Sequence, residues 1–185
     1  MQKIDLIEEK NWTSFLLIDD DKLLALCKVD YFLSSKPGGQ HRDKKVSSVR
    51  LKLKNTRIVV SASENRSLNK NIKIALKKLR IEVTCQLRSN IDLNSFISIF
   101  KLDEVFDRTG LIINRKLLYS SSNKNYLPLC AFILDYLHND KWGISAFSKK
   151  FSISNTNIVS FLSKEKRLLV WVNQERVKNG MNLLK

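Results

Sequence analysis

Histidine is nearly missing from this chain: His41 and His138 are the only two in 185 residues. Neither has a second ligand at the spacing a metal centre needs, and cysteine does not fill the gap. Cys27, Cys85 and Cys130 form no CxxC pair and leave one sulfur unmatched. That pattern argues for reduced thiols in the cytoplasm, against a disulfide frame or a zinc site, and it calls for no cofactor. Long apolar runs are also missing. Stretches such as Leu129–Leu134 fall far below the ~20 residues of a membrane span, so no membrane partner is expected. The first residues, MQKIDLIEEKNW, carry acids early and no apolar signal core, so no export or transit peptide is expected. Glycine is scarce too. Of five, two stand side by side at positions 38 and 39, beside the most charged segment of the chain.

Acids are scarce in the middle of the sequence. Residues 1–30 hold four Lys against seven Asp or Glu, whereas residues 31–90 hold fifteen Lys or Arg against Asp43, Glu64 and Glu82. The total is +15. A merely solubilising surface mixes the two signs. A block this one-sided fits a polyanionic partner, because cations that neutralise phosphates release condensed counterions. Nucleic acid is favoured over an acidic membrane, since no basic amphipathic helix with an aromatic face is present.

The apolar pattern divides the chain. Asp19, Asp20 and Asp21 precede a short apolar turn, as a helix N-terminus requires. Residues 28–33 alternate as a strand, the Pro37-Gly38-Gly39 segment breaks it, and Val49, Leu51 and Leu53 alternate with Arg50, Lys52 and Lys54 in a second strand. Asn55-Thr56 makes a turn into a partner strand through Ile58, Val60 and Ala62. Leu68, Ile72, Ala75, Leu76 and Leu79 then fall at helical spacing, with Ser63 or Asn65 as cap and Lys70, Lys73, Lys77 and Lys78 mainly on the other side. This predicts an α+β unit over 1–88. Residues 89–125 read as a linker with short ordered segments, around Phe96, Ile97, Ile99 and Phe100. A small all-α domain over 126–185 follows, with helices marked by Leu129 to Leu137, Ile144 to Phe151, Ile158 to Leu162 and Leu168 to Val172. Within it, FSKKFSISNTNIVSFL has a helix-turn-helix rhythm: a turn at Ser152, buried Ile153, and Ser154 as N-cap. Trp12, Trp142 and Trp171 read as packing residues.

The ordered set Ser34-Ser35-Lys36-Pro37-Gly38-Gly39-Gln40-His41, with Lys44, Ser47, Val49 and Arg50 behind it, resembles the signature of class I peptide-chain release factors. The resemblance continues at Arg66-Ser67, Asn71, Ala75, Leu76 and Leu79, which are similar to that family's following basic helix, and it covers about residues 22–81. It implies a GGQ-type catalytic domain, a small sheet plus a basic helix, that hydrolyses the ester between nascent peptide and tRNA in the ribosomal peptidyl-transferase centre. By the same resemblance Gly38, Gly39 and Gln40 are catalytic: the main-chain N–H at Gln40 stabilises the transition state, and its side chain helps position water. The chemistry suits those residue types, because a backbone donor reaches RNA-bound substrate only where no side chain obstructs it. His41, Arg42, Lys44, Lys45, Arg50, Arg66, Lys70, Lys73 and Lys77 are the candidate RNA contacts. Partners implied are the ribosome, its rRNA, peptidyl-tRNA, and a glutamine methyltransferase acting on Gln40.

Tyr126–Leu184 is similar to the helical extension of small stand-alone release-factor-like proteins in bacteria, and stop-codon-reading domains are not recognisable. The expectation is therefore codon-independent release on stalled ribosomes. Two alternatives stand beside it: a non-catalytic ribosome- or RNA-binding module, and a DNA-binding regulator using the helical half, against which the concentration of charge at 31–90 argues. Three positions depart from the family: Lys36 stands where glycine is frequent, Asp43 where asparagine is usual, and Leu68 where glutamine is common in the basic helix.

Overall fold

The acidic triplet does open a helix. Asp19 accepts a hydrogen bond from the Lys22 backbone N–H at 2.9 Å, and that bond holds its carboxyl below the usual carboxylate range. The computed structural model describes residues 11–33, 46–107 and 112–185. The chain divides into two compact units, Met1–Gln86 and Leu87–Lys185.

In the first unit, helices α1 (Thr13–Leu16) and α2 (Asp20–Ala25) lead into strand β1 (Cys27–Phe32). Strands β2 (Ser48–Leu53) and β3 (Val59–Ala62) follow, then helix α3 (Leu68–Gln86). The sheet is antiparallel in the order β1-β2-β3, with Val29 opposite Leu51 and Leu51 opposite Val60. Alternation in β2 decides the layers. Val49, Leu51 and Leu53 are buried and Arg50 and Lys52 exposed, so α3 packs on one face and the other is left to solvent. The β2–β3 turn lies where Asn55-Thr56 predicts it. Asn55 takes φ 59°, and the Thr56 hydroxyl donates to the Leu53 carbonyl at 2.9 Å. Helix α3 buries Ala75, Leu76 and Leu79 against the sheet. Asn65, expected to cap it, accepts instead from the Ser67 N–H at 3.0 Å and shapes the approach to the helix.

The second unit is helical: α4 (Leu93–Phe100), a 3-10 turn (Ile113–Arg115), α5 (Tyr126–Asn139), α6 (Ser145–Phe151), α7 (Asn155–Ser163) and α8 (Lys166–Lys178). Residues that read as linker in the sequence contribute to its core. Phe96 is buried with its ring stacked on that of Phe132 at 4.2 Å, and Phe100, Leu102, Phe106, Ile112 and Leu117 are buried with it. Arg88 and the buried Asp135 carboxylate pair at 3.3 Å. The helix α6–turn–α7 geometry follows the predicted rhythm. Ser152 takes φ 53°, Ile153 is buried, and Ser154 caps α7 by accepting from the Asn157 N–H at 3.2 Å. Replacing Ser154 with alanine is expected to lower stability by about 1 kcal/mol, read as a shift in the denaturant midpoint at constant slope. Helix α8 ends where Gly180, at φ 72°, lets the Met181 N–H reach the Arg176 carbonyl at 2.9 Å. No helix among the described residues is long and apolar enough to cross a membrane.

Candidate nucleic-acid interface

Strands β1 and β2 are successive and antiparallel, with Phe32 paired to Ser48. The segment joining them, residues 33–47, therefore leaves and re-enters the sheet at neighbouring positions. Gly38, Gly39, Gln40, His41, Arg42, Lys44 and Lys45 belong to that segment and lie outside the described residues, as do Lys36 and Asp43.

The downstream root of the segment is held by a side chain from α3. Asn71 is fully buried. Its Nδ2 donates to the Ser47 carbonyl at 2.6 Å and to the Asn65 carbonyl at 2.7 Å, and its Oδ1 accepts from the Asn65 N–H at 2.9 Å. Tyr31 and Val46, at the two roots, are exposed apolar side chains. Ser48 has a buried hydroxyl with no hydrogen-bond partner among the described residues.

The basic residues separate by what they touch. Arg66, just ahead of α3, and Lys70, Lys73 and Lys77 on it are all exposed. Steps of three and four residues place Lys70, Lys73 and Lys77 on one stripe of the helix, with Arg66 on the approach to it. That stripe lies on the side of the helix away from Ala75, Leu76 and Leu79, hence away from the sheet. No ion pair occupies any of the four among the described residues. Beyond Arg80 the helix buries Ile81, Val83, Thr84 and Cys85, which lie all round it, so the stripe stops at Lys77.

Two neighbouring cations serve the fold instead. Lys78 pairs with Glu64, which that contact keeps below the usual carboxylate range, and donates to the Ser61 carbonyl at 2.9 Å. Arg80 donates to the carbonyls of Phe15 at 3.1 Å and Ile18 at 2.8 Å and pairs with Asp20 at 2.9 Å. Its side chain is only 18% exposed.

Arg50 is not with the stripe. It lies on the open face of the sheet, opposite Asp30 in the register, with its guanidinium 5.4 Å from the Phe32 ring centroid. Lys28 and Lys52 pair across the strands on that same face, and both are exposed. The candidate contacts among the described residues thus fall on two opposite sides of the first unit. Lys28 does not stand out in the sequence as a contact. The signal that could find it is its alternation with Val29 and its place across from Lys52, which requires the register. Lys54, the third basic residue of the alternating set, donates to the Ala25 carbonyl at 2.9 Å.

The cysteines offer no rival nucleophile among the described residues. Cys27, Cys85 and Cys130 are buried and form no disulfide, and burial pushes the Cys27 thiol up to about 11, away from the reactive thiolate. Among the described residues no group of three or more His, Cys, Asp or Glu side chains could hold a metal ion.

Comparison with known families places this geometry. Residues 18–93 match the family model described as the RF-1 domain, the GGQ-containing catalytic domain of class I release factors. The match runs from the residue before the acidic triplet, through the three-stranded sheet and the 33–47 segment, past the end of α3. No curated protein and no solved structure matches the chain.

Proposed function

We propose, from the match of residues 18–93 to the RF-1 domain, that this protein hydrolyses peptidyl-tRNA on stalled ribosomes without reading a codon. Members of the family hydrolyse peptidyl-tRNA and act on the ribosome. The observation that carries the reading is that Gly38-Gly39-Gln40 lies inside the matched span, on the connection between paired strands, in a unit whose exposed cations include Arg50, Arg66, Lys70, Lys73 and Lys77.

Ester hydrolysis needs a placed water and a donor for the oxygen on which charge develops. In this reading the Gln40 main-chain N–H is that donor, and the glycines before it let the backbone approach the ester. The Gln40 side chain orients the water and excludes larger nucleophiles. RNA supplies the remainder of the site. His41, Arg42, Lys44 and Lys45 contact RNA beside the loop, and the α3 stripe and Arg50 contact it from two sides of the unit. Gln40 is also the expected target of a glutamine methyltransferase, which the intact mass of natively expressed protein would reveal. The work is done in the cytoplasm.

Codon independence is supported by the likeness of Tyr126–Leu184 to the helical extension of stand-alone release-factor-like proteins. Reading three bases requires contacts to base edges. Release is therefore expected to be similar on ribosomes with a stop or a sense codon in the A site, and fastest when the message ends near the P site. Measuring peptide release on each kind of message at equal occupancy tests this. A strong preference for stop codons would overturn the rescue role and leave the ester chemistry standing. Binding without release on any message would point to a non-catalytic RNA-binding module.

A further inference from the structure

The buried polar side chain of Asn71 has no part in this reading. Asn71 sits in the first turn of α3, 0% exposed, and commits both of its amide protons and its carbonyl oxygen. Its partners are informative. Ser47 is the residue before β2, where the chain returns from the segment carrying the GGQ tripeptide. Asn65 is the residue before Arg66, on the approach to the helix that carries the cationic stripe. A single amide thus ties the chain leaving one functional element to the chain starting the other.

The arrangement demands this side chain. Two donors and an acceptor at this reach are found only in asparagine. Aspartate has no donor when ionised and would turn a carboxylate toward the carbonyls of Ser47 and Asn65. Serine can donate to only one of them, and glutamine is a methylene longer. The buried bonds also fix a distance. The Ser47 carbonyl is held 2.6 Å from the amide of a helix whose opposite face presents Lys70, Lys73 and Lys77.

We propose that Asn71 is a positioning residue: it sets the root of the GGQ segment relative to the RNA-docking stripe, so that docking through the lysines places the loop against the ester. This rests on the functional reading above. Losing the bond leaves the lysines able to dock but lets the loop root move, and a displacement of about 1 Å can cost 10²-fold in a positioned reaction.

The test uses the full chain with Asn71→Ala and Asn71→Asp, and with Leu79→Ala as a control, a buried residue on the sheet-facing side of the same helix. Three quantities are measured below the melting temperature of every variant: ribosome affinity, peptide release at saturating protein, and hydrogen exchange over residues 46–53. In the Asn71 variants, affinity is expected to stay within about threefold while saturated release falls by about ten- to a hundredfold. Exchange at 46–49 should rise. Leu79→Ala is expected to lower the melting temperature and keep the saturated release rate. Should Asn71→Ala lose its fold, Asn71→Ser, which keeps one donor, carries the same comparison. Saturated release equal to wild type, or reduced no more than in Leu79→Ala at matched stability, would overturn the proposal. If the unmodified protein releases no peptide, the functional reading fails by itself, and exchange still decides the role of Asn71. Unchanged exchange at 46–49 would then refute it.

Discussion

Gln40→Ala and Gly39→Ala are expected to bind ribosomes within about twofold of the unmodified protein and to release peptide about 10²–10³-fold more slowly, the first by losing the placed water and the second by denying the preorganised oxyanion donor its close approach. The two substitutions act differently. A Cβ at position 39 keeps the backbone from the close approach that its N–H groups require. Loss of the Gln40 side chain leaves the backbone donor in place and removes what orders the water. Binding should survive both, because the cations proposed to dock the unit, Arg50, Arg66 and the stripe from Lys70 to Lys77, lie outside the segment being changed. Release assayed at saturating protein, beside cosedimentation with ribosomes, separates the two quantities. Unaltered release by Gly39→Ala would sink the loop chemistry, whatever becomes of the binding surface.

Reversing the stripe, Lys70→Glu, Lys73→Glu and Lys77→Glu together, is expected to weaken ribosome binding by about 10²-fold near physiological salt and to reduce the slope of log K against log salt by about 2 to 3, since each lost phosphate contact removes roughly 0.7–0.9. The fold should tolerate it. All three side chains are exposed, and none has an ion pair to lose among the described residues. Arg80→Ala supplies the contrast. It removes one positive charge from the same helix, yet Arg80 satisfies the carbonyls of Phe15 and Ile18 and pairs with Asp20. Its loss should lower the melting temperature and leave the salt slope nearly unchanged. Arg50→Ala, on the far side of the sheet, should add to the stripe variants independently, as distant sites do. A salt slope that moves as much per charge removed for Arg80→Ala as for the stripe variant would show that net charge, and no particular face, governs binding.

Much of the fold is legible in the sequence. Periodicity marks β1, β2 and β3, the turn at Asn55, the long basic helix and the four C-terminal helices, because these segments each turn one apolar side inward at a regular period. Leu51 between Arg50 and Lys52 can be buried in only one way. The Ser152–Ser154 turn is legible for a related reason. Its signals are local, a left-handed residue followed by a capping hydroxyl, and need no distant partner. The candidate chemistry is legible as well, since Gly38-Gly39-Gln40 and the basic block that follows it are contiguous words in the chain.

What the sequence does not state is which of several equivalent residues does which work. Lys77 and Lys78 are adjacent and chemically identical. Lys77 lies on the outer stripe, while Lys78 is bound to Glu64 and the Ser61 carbonyl, because a helix advances 100° per residue and only the second faces β3. Phe96 and Phe100 read as a patch in a linker because the ring that stacks on Phe96, that of Phe132, lies far along the chain. The split of the basic surface into two opposite faces depends on which side of the sheet α3 covers. The hold that Asn71 has on the loop root carries no compositional signal at all: its bonds run to two backbone carbonyls and one backbone N–H, groups that nearly every residue possesses. The chain alone marked most of the elements and the residues of the candidate chemistry, since both are properties of neighbours in sequence. Pairing of side chains with distant backbone, and the direction in which each charge points, were decided only in tertiary structure, where contact is set by distance in space.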